Sequence, residues 1–178
     1  MYILASKSPR RQELLKKIIT NFEIVISNID EHAIKDDPYN LPLTLSLVKA
    51  QDVFKSYPND TIIASDTLVI FNNIVFGKPQ DEKDAFNMLK TLSNKTHDVV
   101  TGFTILSKDR CISKKVITKV TFNNLSDETI NAYIATKSPF DKAGGYGIQD
   151  TAFNLVKSIE GSYDNVMGLP TEELKKYL

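Results

Sequence analysis

Two hairpin-like stretches set among helical segments decide what this chain can fold into. Thr61 to Ala64 and Leu68 to Phe71 are β-branched and apolar, flank Ser65-Asp66-Thr67, and lead through an Asn72-Asn73 turn into Ile74-Val75-Phe76. Further on, Asp98 to Leu106 and Ile112 to Phe122 read as paired strands, the second visibly alternating. Helices interleave with them. Leu41 to Tyr57 has Pro42 in its first turn and Pro58 past its end, Asp81 to Leu92 presents Ala85, Met88, Leu89 and Leu92 on one face, and Ser126 opens a helix to about Thr136. Short strands at Tyr2 to Ala5, Phe22 to Ile26 and Phe153 to Ile159, and a terminal helix capped by Thr171, complete the pattern. The hairpins argue against a purely parallel sheet, so the expected class is α/β, a mixed twisted sheet flanked by helices. No repeat or Pro-, Gly- or Ser-rich linker divides the chain, and residues 1–178 read as a single domain.

Charge narrows the partners. The 22 basic residues balance the 22 acidic ones, which leaves no long-range field to draw the molecule onto nucleic acid or an anionic membrane. An anion must then be held by a local cluster. Cys111 is the single cysteine, no Cys and His spacing resembles a zinc site, the first apolar residues are too few for a signal peptide, and no apolar run could span a bilayer. The reading is a soluble, cytoplasmic protein without nucleic-acid or membrane partners.

Three constellations could carry chemistry. Ser6, Ser8, Arg10 and Arg11 crowd a helix start at Ser8-Pro9, where free backbone N–H groups and the positive dipole end favour an anion and two arginines add planar donors for phosphate. A plain cap with solvated arginines fits the same residues, although cations in a first turn oppose the dipole. Asp66 interrupts two apolar strands, a poor place for aspartate, and is expected at a turn near the sheet's edge, where it could hold a divalent ion, orient a water, or bond its own backbone. Asp30-Glu31 lies in a polar connection. The third set is Lys49, Lys78 between Gly77 and Pro79, and the run Asp141 to Gln149, whose glycines allow close backbone approach and whose Gln149 could read a base edge; a bulged strand start with a packed tyrosine fits that run equally. His32 and His97 match no nucleophile pattern.

These segments resemble, in order along nearly the whole chain, the Maf family of nucleoside triphosphate pyrophosphatases. The resemblance rests on Leu4 to Leu15, Asp30-Glu31, Lys49-Ala50, Ser65-Asp66-Thr67, Gly77-Lys78-Pro79, Asp141 to Gln149 and Gly161 to Pro170. It implies two lobes with a central cleft as in inosine triphosphatases, often as a homodimer, and cleavage between the α- and β-phosphates with Mg²⁺ or Mn²⁺. By the same resemblance Asp66 activates water, Glu31 and Asp66 hold metal, and Ser6, Arg10, Lys49 and Lys78 hold phosphate. Arg11, Thr67, Lys78 and Gln149 match the branch that prefers dTTP and UTP, with Arg11, Thr67 and Gln149 selecting the substrate, which makes these two nucleotides, or modified pyrimidine triphosphates, the expected substrates.

Departures are visible. Ser65 stands where the family usually has alanine, Ser138 where a glutamate usually precedes proline, and Asp150 where glycine usually follows the glutamine. Two other readings stay open at this point: a nucleotide-binding regulator of septum formation, and a house-cleaning pyrophosphatase for non-standard or methylated purine triphosphates.

Overall fold

A computed structural model describes residues 1–178. In chain order it contains β1 (Tyr2–Leu4), α1 (Pro9–Lys16), β2 (Glu23–Ile24), α2 (Leu41–Ser56), β3 (Thr61–Phe71), β4 (Ile74–Phe76), α3 (Glu82–Leu92), β5 (Thr96–Leu106), β6 (Cys111–Phe122), α4 (Asp127–Ala135), β7 (Val156–Glu160), α5 (Tyr163–Met167) and α6 (Thr171–Leu174). The strands form one seven-stranded sheet in the order β2-β1-β3-β5-β6-β7, with β4 paired to β3 off this path. Strand β1 runs parallel to β2 and β3, whereas β4 and β7 are antiparallel to β3 and β6. The sheet is mixed, as the hairpins required. No helix is long and apolar enough to cross a membrane.

The chain resolves into two compact units, the first made of Met1–Thr67, Val100–Val116 and Asp164–Leu178, the second of Leu68–Val99 and Ile117–Tyr163.

In the first unit, the period-two alternation of β1 and β3 builds a core on both faces of the sheet. Ile3, Ala5, Ile62 and Ala64 pack with Ala50 and Val53 of α2. Leu4 and Ile63, one residue out of step, pack instead with Leu14 and Leu15 of α1 and with Phe103 and Ile105 of β5. Pro9 takes the first position of α1, but the Ser8 hydroxyl makes no capping bond; the Ser6 hydroxyl accepts from the Ser8 N–H at 3.2 Å instead. Helix α1 ends at Lys16, so Ile18 and Ile19 continue its apolar stripe beyond the helix. The predicted strand at 22 to 26 shrinks to Glu23–Ile24, and Thr171 starts α6 after Pro170, its hydroxyl donating to Asp164.

Gly102 on β5 lies against the first turn of α2. A Cβ there would sit 2.4 Å from Leu43 N and from the carbonyl carbon and oxygen of Pro42, all backbone atoms that cannot swing aside. Gly102→Ala is therefore expected to destabilise the fold by about 2–3 kcal/mol, lowering Tm by roughly 4–12 °C in a thermal melt.

In the second unit, Asn72 and Asn73, both at positive φ, turn β3 into β4, the conformation that a two-residue hairpin needs. Asp81 caps α3 by accepting from Asp84 N, and Ser126 caps α4 by accepting from Thr129 N. Phe153 falls in a 3₁₀ turn, and β7 starts only at Val156. The core here holds a titratable group. His97 on β5 packs edge-to-face on Phe122 and Tyr146, and its Nε2 lies 2.7 Å from the Tyr146 hydroxyl.

Burial drives the His97 pKa down to about 4 from its ordinary 6.5, opposed by Asp98. The unfolded chain thus takes up this proton first. As pH falls from about 6.5 to about 4, His97 removes on the order of 3 kcal/mol of stability, and below that both states are protonated and the loss stops. Chemical denaturation across this pH range checks it: the His97→Gln variant should lose this part of the pH dependence.

Candidate functional site

The alternation that builds the core of the first unit also sorts the polar residues of β3. Stepping by twos from Ile62 and Ala64 puts Asp66 on the face covered by α2, next to Lys49, which immediately precedes the core residue Ala50. Lys49 Nζ lies 2.6 Å from Asp66 Oδ1 and 3.0 Å from Glu31 Oε1. Lys49 is 7% and Asp66 6% exposed, while Glu31 reaches in from an exposed 3₁₀ turn.

This corrects the expectation that Asp66 marks a turn at the sheet's edge. Strand β3 runs unbroken from Thr61 to Phe71, between β1 and β5 in the sheet. A carboxylate is tolerable inside a buried strand because Lys49 supplies its counter-charge. Strand β1 pairs with β3 only as far as Ile63, so the backbone beside Asp66 is not covered by β1.

The other set, Ile63, Ser65 and Thr67, faces α1. Ser65 Oγ donates to the Gly168 carbonyl at 2.7 Å, and Arg11 Nε donates to the same oxygen at 2.9 Å. A second guanidinium nitrogen of Arg11 donates to Thr67 Oγ1 at 3.2 Å. Thr67 and Thr101 hydroxyls lie 2.9 Å apart, and Thr101 donates to the Asn165 carbonyl. Since the one hydroxyl proton of Thr101 goes to Asn165, Thr67 is the donor to Thr101, and Thr67 meets Arg11 with a lone pair. Burial lowers the Arg11 pKa; the Asp66 charge opposes this and the Arg10 charge adds to it. Ser6 is buried where the chain leaves β1, and Arg10 is half-buried in the first turn of α1.

The first unit therefore gathers Ser6, Arg10, Arg11, Glu31, Lys49, Asp66 and Thr67, seven of the nine residues expected to act. The others, Lys78 and Gln149, belong to the second. There the Gly77 carbonyl accepts from Gly144 N at 3.0 Å, tying the Lys78 loop to the glycine run. Gly144 has φ +71°, and a Cβ on it would lie 2.8 Å from Val69 Cγ2, so both conformation and space require glycine. The run from Asp141 forms 3₁₀ turns, which removes the bulged-strand alternative. Lys142 is buried and donates to the Ser138 carbonyl and hydroxyl and to Asp141.

No group of three or more His, Cys, Asp or Glu side chains is placed to hold a metal by itself. Glu31 and Asp66, whose carboxylates share the Lys49 ammonium, are the available pair. Two carboxylates suit Mg²⁺ or Mn²⁺, which take their remaining ligands from phosphate oxygens and water. Sequence reasoning missed the Gly168 carbonyl, a backbone acceptor with no side-chain signature, and Tyr133, which reads as one more apolar position of α4.

Fold and site together define a mixed α/β protein with a buried lysine-carboxylate pair beside an arginine-hydroxyl set. The chain belongs to the family of Maf-like proteins, whose profile matches residues 1–178. It is 52% identical over 97% of its length to the dTTP/UTP pyrophosphatase of Thermosipho africanus, covering 88% of that relative. With the Pyrococcus furiosus protein of the same name it shares 50% identity over 94% of the chain and 88% of the relative, and with that of Carboxydothermus hydrogenoformans 48% over 98% and 95%. A solved Ham1 protein of Staphylococcus aureus has the same fold at TM-score 0.58 and 10% identity, covering 99% of this chain and 96% of the other.

The Lys49–Asp66 pair gives a direct test of the site's energetics. Lys49→Met leaves Asp66 buried without its counter-charge and is expected to destabilise by about 3–5 kcal/mol in urea unfolding. Adding Asp66→Asn should recover most of that loss, because the uncompensated charge is then gone.

Proposed function

We propose that this chain hydrolyses dTTP and UTP to the nucleoside monophosphate and pyrophosphate. The observation that carries the reading is the buried Asp66 carboxylate, fixed by Lys49 beside the Arg11–Thr67 pair, in a chain about half identical across its length to relatives named for that reaction.

In this mechanism Asp66 accepts a proton from a water that attacks phosphorus, the α–β anhydride bond breaks, and its electron pair leaves with pyrophosphate. Ser6, Arg10, Lys49 and Lys78 offset the charge of the phosphates. A nucleotide phosphate arriving at Lys49 meets an ammonium already aligned by Glu31 and Asp66. Arg11 and Thr67 select the substrate in the first unit, Arg11 held by Gly168 and Thr67 oriented by Thr101, and Gln149 reads the base. A divalent ion, Mg²⁺ or Mn²⁺, held by Glu31 and Asp66 would supply further charge neutralisation for the leaving pyrophosphate. The same reading includes a homodimer acting on free nucleotides rather than on nucleic acid. The balanced net charge supports the second point, and the lone, exposed Cys111 supports a reducing, cytoplasmic setting.

The test is pyrophosphate release from a panel of nucleoside triphosphates with Mg²⁺ or Mn²⁺. dTTP and UTP are expected to give release, and Asp66→Asn to bind them while losing roughly 10²-fold to 10⁴-fold in kcat. Near wild-type kcat in Asp66→Asn removes the base assignment. Release from purines in preference overturns the pyrimidine assignment, and no release from any nucleotide favours a regulatory binder.

A further inference from the structure

Gln149 sits in a loop whose two ends are fastened to one phenol. Tyr133 on α4 is fully buried, and its hydroxyl accepts from Gly147 N at 2.9 Å while donating to Asp150 Oδ2 at 2.6 Å. The same Asp150 oxygen accepts from Ser138 Oγ at 2.7 Å. Within the loop, Asp150 N donates to the Gly147 carbonyl at 3.1 Å. The phenol thus grips the residue two before Gln149 through its backbone and the residue after it through its side chain. Tyr133 is held in turn by Phe153, whose ring centroid lies 5.1 Å away, and Ser138 by Lys142.

The loop has little freedom to loosen. A Cβ on Gly147 would meet Lys142 Cε at 2.8 Å and Asp150 Oδ2 and Gln149 Oε1 at 3.0 Å each, so the three side chains close over that glycine. Gln149 itself is half-exposed at a cavity of about 280 Å³ lined also by Tyr133, Ser138, Asp150 and Phe153. An amide can choose between bases only if the direction of its donor and acceptor is fixed before the base arrives. Two of the three departures from the family pattern, Ser138 and Asp150, are hydrogen-bonded to each other in this network. They act as one unit rather than as independent changes.

We propose that Tyr133 and Asp150 are positioning residues that hold Gln149 in its base-reading orientation, with Ser138 fixing the Asp150 carboxylate. The inference rests on the functional reading above. Binding of substrate and transition state weakens together when a base-reading contact loosens, so KM rises and kcat is spared.

The experiment is steady-state kinetics on dTTP, UTP and dCTP with the full chain and Mg²⁺. Tyr133→Phe keeps the packed ring and removes both grips. Asp150→Ala removes one grip, whereas Asp150→Asn keeps an oxygen acceptor for the two hydroxyls. Tyr133→Phe and Asp150→Ala are expected to raise KM for dTTP and UTP about tenfold, with kcat within roughly threefold of the parent, and to reduce discrimination against dCTP by a similar factor. Asp150→Asn should stay within about threefold of the parent in KM, and it carries the test if Tyr133→Phe does not fold. Unchanged KM and discrimination in Asp150→Ala, a fall in kcat alone, or Asp150→Asn as impaired as Asp150→Ala each overturn the assignment. If the parent chain turns over dTTP and UTP, those outcomes remove only the Tyr133 and Asp150 roles. If the parent turns over neither, the functional reading fails and this inference with it.

Discussion

An aspartate can stand in the middle of a buried strand only if a positive charge comes to it, and in this protein the charge is Lys49. The 2.6 Å contact with Asp66 fixes the rotation of α2 on the sheet, because Lys49 must face β3 while its neighbours Ala50 and Val53 fill the same core layer. The register of β3 follows. A slip of one residue would turn Asp66 toward α1 and carry Ser65 and Thr67 to the α2 side. Ion pairs of this kind contribute little net stability against apolar replacements, yet are costly to break on one side only. Here the pair makes one register far better than its neighbours while keeping a carboxylate in a dry, defined place.

The opposite face of the same strand uses weaker interactions to similar effect. The Gly168 carbonyl collects donors from Ser65 and Arg11, and Arg11 reaches on to Thr67. The guanidinium is thereby held by two partners from different parts of the chain. Ser65, a departure from the family pattern, does not touch the guanidinium but adds a bond to the Gly168 carbonyl, an acceptor already in use. In the second unit the equivalent economy is the Tyr133 hydroxyl, which serves as acceptor and donor at once and spans the loop that carries Gln149. Backbone and hydroxyl groups, rather than further charges, aim the charged and amide side chains.

Much of this was legible in the chain. The Asn72-Asn73 turn, the Ser126 cap, the helix beginning at Leu41 and the mixed character of the sheet follow from local chemistry, since each depends on residues within a few positions of one another. The order of short motifs, from Ser6 through Asp66 to Gln149, was enough to point to the family that the profile and relatives show. Where local reasoning failed, at Asp66, it failed because the residue that makes the strand possible lies 17 positions earlier on another element. The expected Thr171 cap failed for a related reason, because its hydroxyl is taken by Asp164 across a turn.

The order of residues along the chain settles which groups are present and which elements carry them: a carboxylate in a strand, arginines at a helix start, a glutamine after a glycine run. The tertiary structure alone decided which groups meet. It joined Asp66 to Lys49 and Glu31, made a backbone carbonyl at Gly168 the anchor of Arg11, and fastened Gly147 and Asp150 to Tyr133. The reason is one of range. Propensity, caps and turns act over a few residues, whereas these contacts close over 14 to 157 residues and exist only once the sheet has placed its helices.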